Sequence, residues 1–313
     1  MIRKMRCCSL FIALTALAVV FGAAPVLGAA PDGQEDICTD PAVFFCDNFE
    51  ARALGTGDLS RPTYKNNGWS QSNPGPGGSP LVINTEHFSG SNALDMVTPQ
   101  NRASGGYMDA SFPNNARFRT IYWRWYSKYS SNYVWSPIAT KHNETFTCCF
   151  NGEVGGLGGS VQDNGWFMFT NNTGTRTPVM TYIFSRSVPY FTQNMNGMGQ
   201  LNVNQWYCFE VRVTQNTCPT CNDGYVQGWI DGVQRIEYPN VNVTPISNPV
   251  TNGFFVASYW NCDANEDCTS DPKYNHPTIH RYMDNLVGST QRIGCLGASS
   301  SVIPAAPSQL NVR

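Results

Sequence analysis

Beyond residue 30, no stretch of this sequence repeats apolar residues at the i, i+3, i+4, i+7 spacing of an amphipathic helix. That absence narrows the possible folds more than any other feature. In place of helix patterns stand short runs rich in β-branched and aromatic residues, separated by clusters of Gly, Pro, Asn and Ser. The clearest runs are 93–98, 106–112, 120–129, 165–170, 179–185, 206–214, 225–230, 253–260 and 280–289. With 28 Gly and 20 Pro as punctuation, they predict an all-β chain folded as a two-sheet antiparallel sandwich. Residues 73–80 and the glycine-rich 151–164 read as loops.

The run TIYWRWYSKY (120–129) alternates with period two. Ile121, Trp123, Trp125, Ser127 and Tyr129 share one face, fit for a core. Tyr122, Arg124, Tyr126 and Lys128 share the other, a row of phenols and cations that reads as the floor of a binding groove. Along 206–214, Tyr207, Phe209, Val211 and Val213 form an inward set. A turn at Asn222-Asp-Gly224 leads to the run 225–230, and Asp231-Gly232 is a tight hairpin signal before a returning strand over 233–238.

The first thirty residues read as a signal peptide and not as part of the fold. Arg3, Lys4 and Arg6 precede an apolar run, and small residues follow it at 27–30. The expected organisation is a signal peptide over 1–30, one jelly-roll domain over 31–297, and a disordered tail or linker over 298–313. Without the three leading cations, 17 Lys and Arg face 22 Asp and Glu, a formal charge of −5. That balance argues against nucleic acid as a partner, and no later run is apolar enough to span a bilayer. Ten cysteines remain, an even number suited to disulfides in a secreted or periplasmic protein. Cys38/Cys46, Cys218/Cys221 and Cys262/Cys268 are close enough to bridge locally, leaving Cys148, Cys149, Cys208 and Cys295 for longer links. Zinc is the rival for Cys218-Pro-Thr-Cys221, but a second CxxC or a suitably spaced His pair is missing.

The hairpin series WYCFEVRV…DGYVQGWIDG resembles the concanavalin A-like jelly rolls of the lectin and glucanase superfamily. FCDNFE (45–50) is similar to their opening strand. IYWRWYSKYSSNYVW (121–135) is similar to the central strand of bacterial polysaccharide-lyase-like members, and RYMDNLVGSTQRIGC (281–295) to their last. The resemblance runs in order through most of 38–296. It implies a jelly roll whose grooved sheet binds an acidic polysaccharide and cleaves it by β-elimination beside a uronate carboxylate. Such chemistry needs a cation to neutralise the carboxylate, a base for the C5 proton and an acid for the leaving oxygen.

Arg124 is the expected neutralising cation, Tyr126 and His142 the proton-transfer groups, and Lys128 and Lys141 the electrostatic lining. Tyr122, Tyr182, Gln227, Trp229 and Tyr259 are expected to bind sugar, with Arg186 and Arg212 as further cations. His87 reads as a surface residue, and His276 and His280 as rim residues that would need a third ligand such as Asp271 to hold a metal. The resemblance also implies a structural Ca²⁺ held by Asp47, Glu50 and Asp284, with no cofactor required for the reaction. Paired carboxylates in an ExDxxE arrangement are absent, which disfavours glycoside hydrolysis. Two other functions fit the same pattern: a non-catalytic lectin-like module, and a structural cell-envelope protein.

Overall fold

The computed structural model describes residues 34–55, 59–72, 80–137, 140–148, 165–171, 178–184, 191–194, 201–243, 250–260, 262 and 268–296. In chain order the strands are β1 (Val43–Asp47), β2 (Ser70–Ser72), β3 (Leu81–Ile83), β4 (Ala93–Thr98), β5 (Ser104–Ser111), β6 (Thr120–Tyr129), β7 (Thr140–Cys148) and β8 (Gly165–Asn171). They continue with β9 (Pro178–Phe184), β10 (Phe191–Asn194), β11 (Trp206–Thr214), β12 (Gly224–Ile230), β13 (Val233–Val241), β14 (Val250–Trp260) and β15 (Ile279–Ser289). Two antiparallel sheets result. The first runs β13-β12-β11-β6-β15-β4-β3, with β1 beside the far half of β15. The second runs β10-β9-β8-β7-β14-β5-β2. The fold is an all-β jelly-roll sandwich. No helix among the described residues is long and apolar enough to cross a membrane.

Alternation along the central strands builds the core. Trp125, Trp123 and Ile121 stand opposite Phe209, Val211 and Val213, and all six side chains are buried between the sheets. From the second sheet come Met108, Ala110, Phe254, Val256 and Trp260. Each fully buried large side chain contributes about 1.5–3 kcal/mol over its exposed state. Where β15 runs beside β6, the pattern slips at a bulge between Asp284 and Val287, where Asn285 has φ 49°. This extra residue returns Leu286 to the core and brings Gly288 against Phe44 and Phe254, where a Cβ would lie 2.9 Å from both rings. The β12–β13 hairpin closes through Asp231 (φ 49°) and Gly232 (φ 77°), the left-handed pair that a twisted two-residue turn demands.

Four disulfides close loops among the described residues. Three are the local pairs Cys38–Cys46, Cys218–Cys221 and Cys262–Cys268, and the fourth joins Cys208 to Cys295. Cys218 and Cys221 are therefore bonded to each other, which excludes the zinc reading. Cys149 lies outside the described residues, as does the side chain of Cys148.

Candidate functional site

The middle of the polar face of β6, at Arg124 and Tyr126, is covered, contrary to the expectation of a groove floor. Arg124 is 1 % exposed, and its Nη2 donates to Glu35 Oε1 at 2.5 Å and to the Asn285 carbonyl at 3.3 Å. Tyr126 is equally buried: its ring stacks on Phe88 at 3.8 Å between centroids, and its hydroxyl accepts the Leu296 N–H. Lys128 Nζ donates to Glu86 Oε2 at 2.7 Å. Glu210, across from Arg124 on β11, accepts from the Ile293 and Gly294 N–H groups, and Cys208, across from Tyr126, is bonded to Cys295. Segments before β1, between β3 and β4, and after β15 thus roof this part of the sheet. Burial raises the pKa of Glu35 against the opposing pull of Arg124, and burial likewise raises that of the Tyr126 phenol. Arg124 and Tyr126 therefore hold down the segments at Glu35 and Leu296, and among the described residues their side chains have no open path to a substrate. Alternation identifies an outward face but cannot say whether water or another segment covers it.

The remaining first-sheet candidates, Tyr122, Gln227 and Trp229, lie toward the β12 side of the same outward face. Tyr122 and Trp229 stack at 6.3 Å between ring centroids. Lys141, His142, Tyr182 and Tyr259 belong to the second sheet, so the sequence-derived residues divide into two sets on different sheets.

On the second sheet, β14 lies between β7 and β5. Lys141 stands opposite Tyr259 and Glu144 opposite Phe255, with a register break between Val256 and Tyr259 alongside His142. On the other edge of β14, Phe255 pairs with Asp109 and Ala257 with Tyr107. The side chains of Lys141, His142, Tyr182 and Tyr259 lie outside the described part of the structure. Those of β5 and mid-β14 are described. Phe255, Ala257 and Tyr107 form an apolar cluster separate from the main core, with Tyr107 and Phe255 rings 5.1 Å apart. Asp109 is partly buried on this face, and its pKa is raised by that burial. The register thus brings a histidine and a lysine of β7 within two strands of a phenol and a partly buried carboxyl group. Tyr107 and Asp109 escaped the sequence reading. Their signal was the alternation Tyr107/Asp109/Ser111 against Met108/Ala110/Phe112, in which one carboxylate reads as a solvated residue.

The histidines also differ from expectation. His276 is packed on Trp260 at 4.3 Å between centroids, and its ring nitrogens meet the Pro277 and Arg102 carbonyls at 2.7 and 3.0 Å. His280 lies in β15, with Nδ1 2.9 Å from Asp95 Oδ2. Neither ring is near a third metal-ligating side chain among the described residues. The hydrogen bond to Asp95 raises the His280 pKa above 6.5. Its stabilising effect is therefore full below that value and is lost as pH rises through the folded pKa. Burial of Asp284, pushed up to about 8, makes stability fall over the same direction of pH change. Urea titrations across pH should accordingly show wild type losing stability above neutrality more steeply than Asp95→Asn; parallel profiles would remove His280 from the account.

The calcium reading is not met by these carboxylates. Asp47 accepts from Arg52, Asn66, Trp69 and the Phe49 N–H, Glu50 from the Ser91 and Asn92 N–H groups, and Asp284 from the Phe88, Ser89 and Asn285 N–H groups. Both oxygens of Asp47 and of Asp284 accept from internal donors, Glu50 accepts through Oε1, and no group of three metal-ligating side chains gathers among the described residues.

The sandwich is similar in fold to a solved alginate lyase. Among solved structures, alginate lyase Aly36B is similar, with TM-score 0.57 and 16% sequence identity over 82% of this chain and 99% of that one. A mutant of that lyase in complex with alginate trisaccharide matches with the same TM-score at 15% identity, over 80% of this chain and 99% of that one. No protein-family model and no curated protein sequence matches the chain.

Proposed function

We propose that this protein is a secreted lyase that cleaves a uronate-containing polysaccharide by β-elimination on the outward face of the second sheet. The observation that carries the proposal is the likeness to an alginate lyase across nearly that enzyme's whole length, with Lys141 and His142 on a central strand of the second sheet. The four disulfides support an oxidising compartment outside the cytoplasm.

In this reading Lys141 neutralises the uronate carboxylate, which makes the C5 proton easier to remove. His142 takes that proton, since an imidazole titrates near neutral pH. The electron pair left at C5 forms the C4–C5 double bond as the C4–O bond breaks. Asp109, whose carboxyl group is held protonated more readily than usual, gives its proton to the leaving oxygen. Tyr107, partly exposed, offers an aromatic surface beside Asp109, and the buried Phe255 ring supports it.

The test is turnover on alginate, glucuronan, heparin and pectin, followed by the ultraviolet absorbance of unsaturated uronates. His142→Ala is expected to lower turnover by roughly 10²–10⁴-fold, the usual worth of a positioned base, with thermal stability unchanged. Full turnover in His142→Ala and in Lys141→Ala would remove both roles.

A further inference from the structure

On the first sheet, away from the roofed part of β6, Arg212 has no carboxylate partner among the described residues. Arg212 of β11 stands opposite Tyr122 of β6 and Gln227 of β12, so the three form a row across adjacent strands about 10 Å wide. Its guanidinium lies 5.7 Å from the Tyr122 ring centre and 4.6 Å from that of Tyr225. Nη1 donates to Gln227 Oε1 at 3.1 Å, and Nε, itself buried, has no hydrogen-bond partner.

The nearby acids are engaged elsewhere. Glu210 is buried and accepts from the Ile293 and Gly294 N–H groups, while Glu237 accepts from Tyr225 and Gln234. No carboxylate among the described residues pairs with Arg212. Next to it, Trp229 is stacked with Tyr122 and is capped by the Arg292 guanidinium at 4.8 Å. Tyr122, Arg212, Tyr225 and Gln227 are all partly exposed.

A guanidinium is charged at every relevant pH, and its planar fork matches a carboxylate. Here two rings and an amide hold it in place, so little of its freedom remains to be lost on binding. We infer that this row is a second, non-catalytic glycan site, in which Arg212 receives the carboxylate of a uronate while Tyr122 and Tyr225 flank the sugar. It lies on the sheet opposite the one proposed to carry the chemistry. There it would hold an acidic polymer to the protein while another part of the chain is cut. The class of ligand, a uronate polymer, rests on the proposed lyase function; the position and the charge argument do not.

The test is calorimetric titration of full-length His142→Ala, with and without Arg212→Gln, using alginate, polygalacturonate and a neutral dextran. Two classes of uronate site are expected with Arg212 present and one in its absence, with retention on a polyuronate gel at least tenfold weaker, about the loss of one charge-assisted bidentate contact. Arg212→Lys, which keeps the charge but not the fork, should behave like Arg212→Gln and serves if the latter does not fold. Dextran should not bind at the Arg212 site. Identical isotherms with and without Arg212, or no binding of either uronate polymer, would overturn the inference. Arg212-dependent binding without any unsaturated product from wild type would uphold it while removing the lyase reading. Product formation with Arg212-independent binding would do the reverse.

Discussion

Asp47→Ala is expected to cost about 3–5 kcal/mol of folding stability, the range for breaking a buried ion pair from one side. Both Asp47 and Arg52 have side chains that are fully buried. The carboxylate accepts from Arg52 Nη2 at 2.6 Å, Arg52 Nε at 2.9 Å, Trp69 Nε1 at 2.7 Å and Asn66 Nδ2 at 2.9 Å. Arg52 also donates to the Leu59 and Arg61 carbonyls at 2.8 and 3.1 Å. One carboxylate at the end of β1 thus fixes the segment that leads to Trp69, whose ring packs edge-on against Phe45 at 5.3 Å. Removing it strands a guanidinium, an amide and an indole N–H without their acceptor. Urea denaturation of Asp47→Ala measures the loss. Asp47→Ala combined with Arg52→Met should be less destabilised than the two changes summed, because the stranded charge is gone as well. A loss below about 1 kcal/mol in Asp47→Ala would contradict the hub.

The second large effect concerns the roof over β6. Cys208 and Cys295 are 87 residues apart, and a cross-link closing a loop of that length is worth about 4–5 kcal/mol in the chain-entropy account. Replacing both by Ser should lower stability by an amount approaching this value. It should also speed hydrogen exchange at the Ile293, Gly294 and Leu296 amides, which Glu210 and Tyr126 accept. Native-state exchange followed amide by amide distinguishes this local release from a general loss. Unchanged protection of those three amides would mean that Glu210 and Tyr126 hold the segment without the disulfide.

Local alternation made the strands and the core legible. The boundaries of β4, β6 and β11 coincide with the runs read from the sequence, and Ile121, Trp123 and Trp125 turn inward as their period demands. The Asp231-Gly232 turn was equally plain, because its backbone angles suit few other residues. What covers an outward face is a non-local fact. Glu35 meets Arg124 from 89 positions away, and Leu296 meets Tyr126 from 170. No period in TIYWRWYSKY contains either partner. The same limit concealed the Asp47 hub, since FCDNFE does not reveal Asn66 or Trp69. It also explains the divided site. Lys128 and Lys141 are close in sequence, but the chain between them crosses from one sheet to the other.

The central claim is that bonds are broken by elimination and not by hydrolysis. Mass spectrometry of oligosaccharides released from alginate, glucuronan, heparin and pectin tests it most directly. A lyase leaves one new end unsaturated, so fragments should appear one water lighter than the corresponding hydrolysis products. They should be absent from digests with His142→Ala. Fragments of hydrolytic mass, or intact polymer in every digest, would contradict the account.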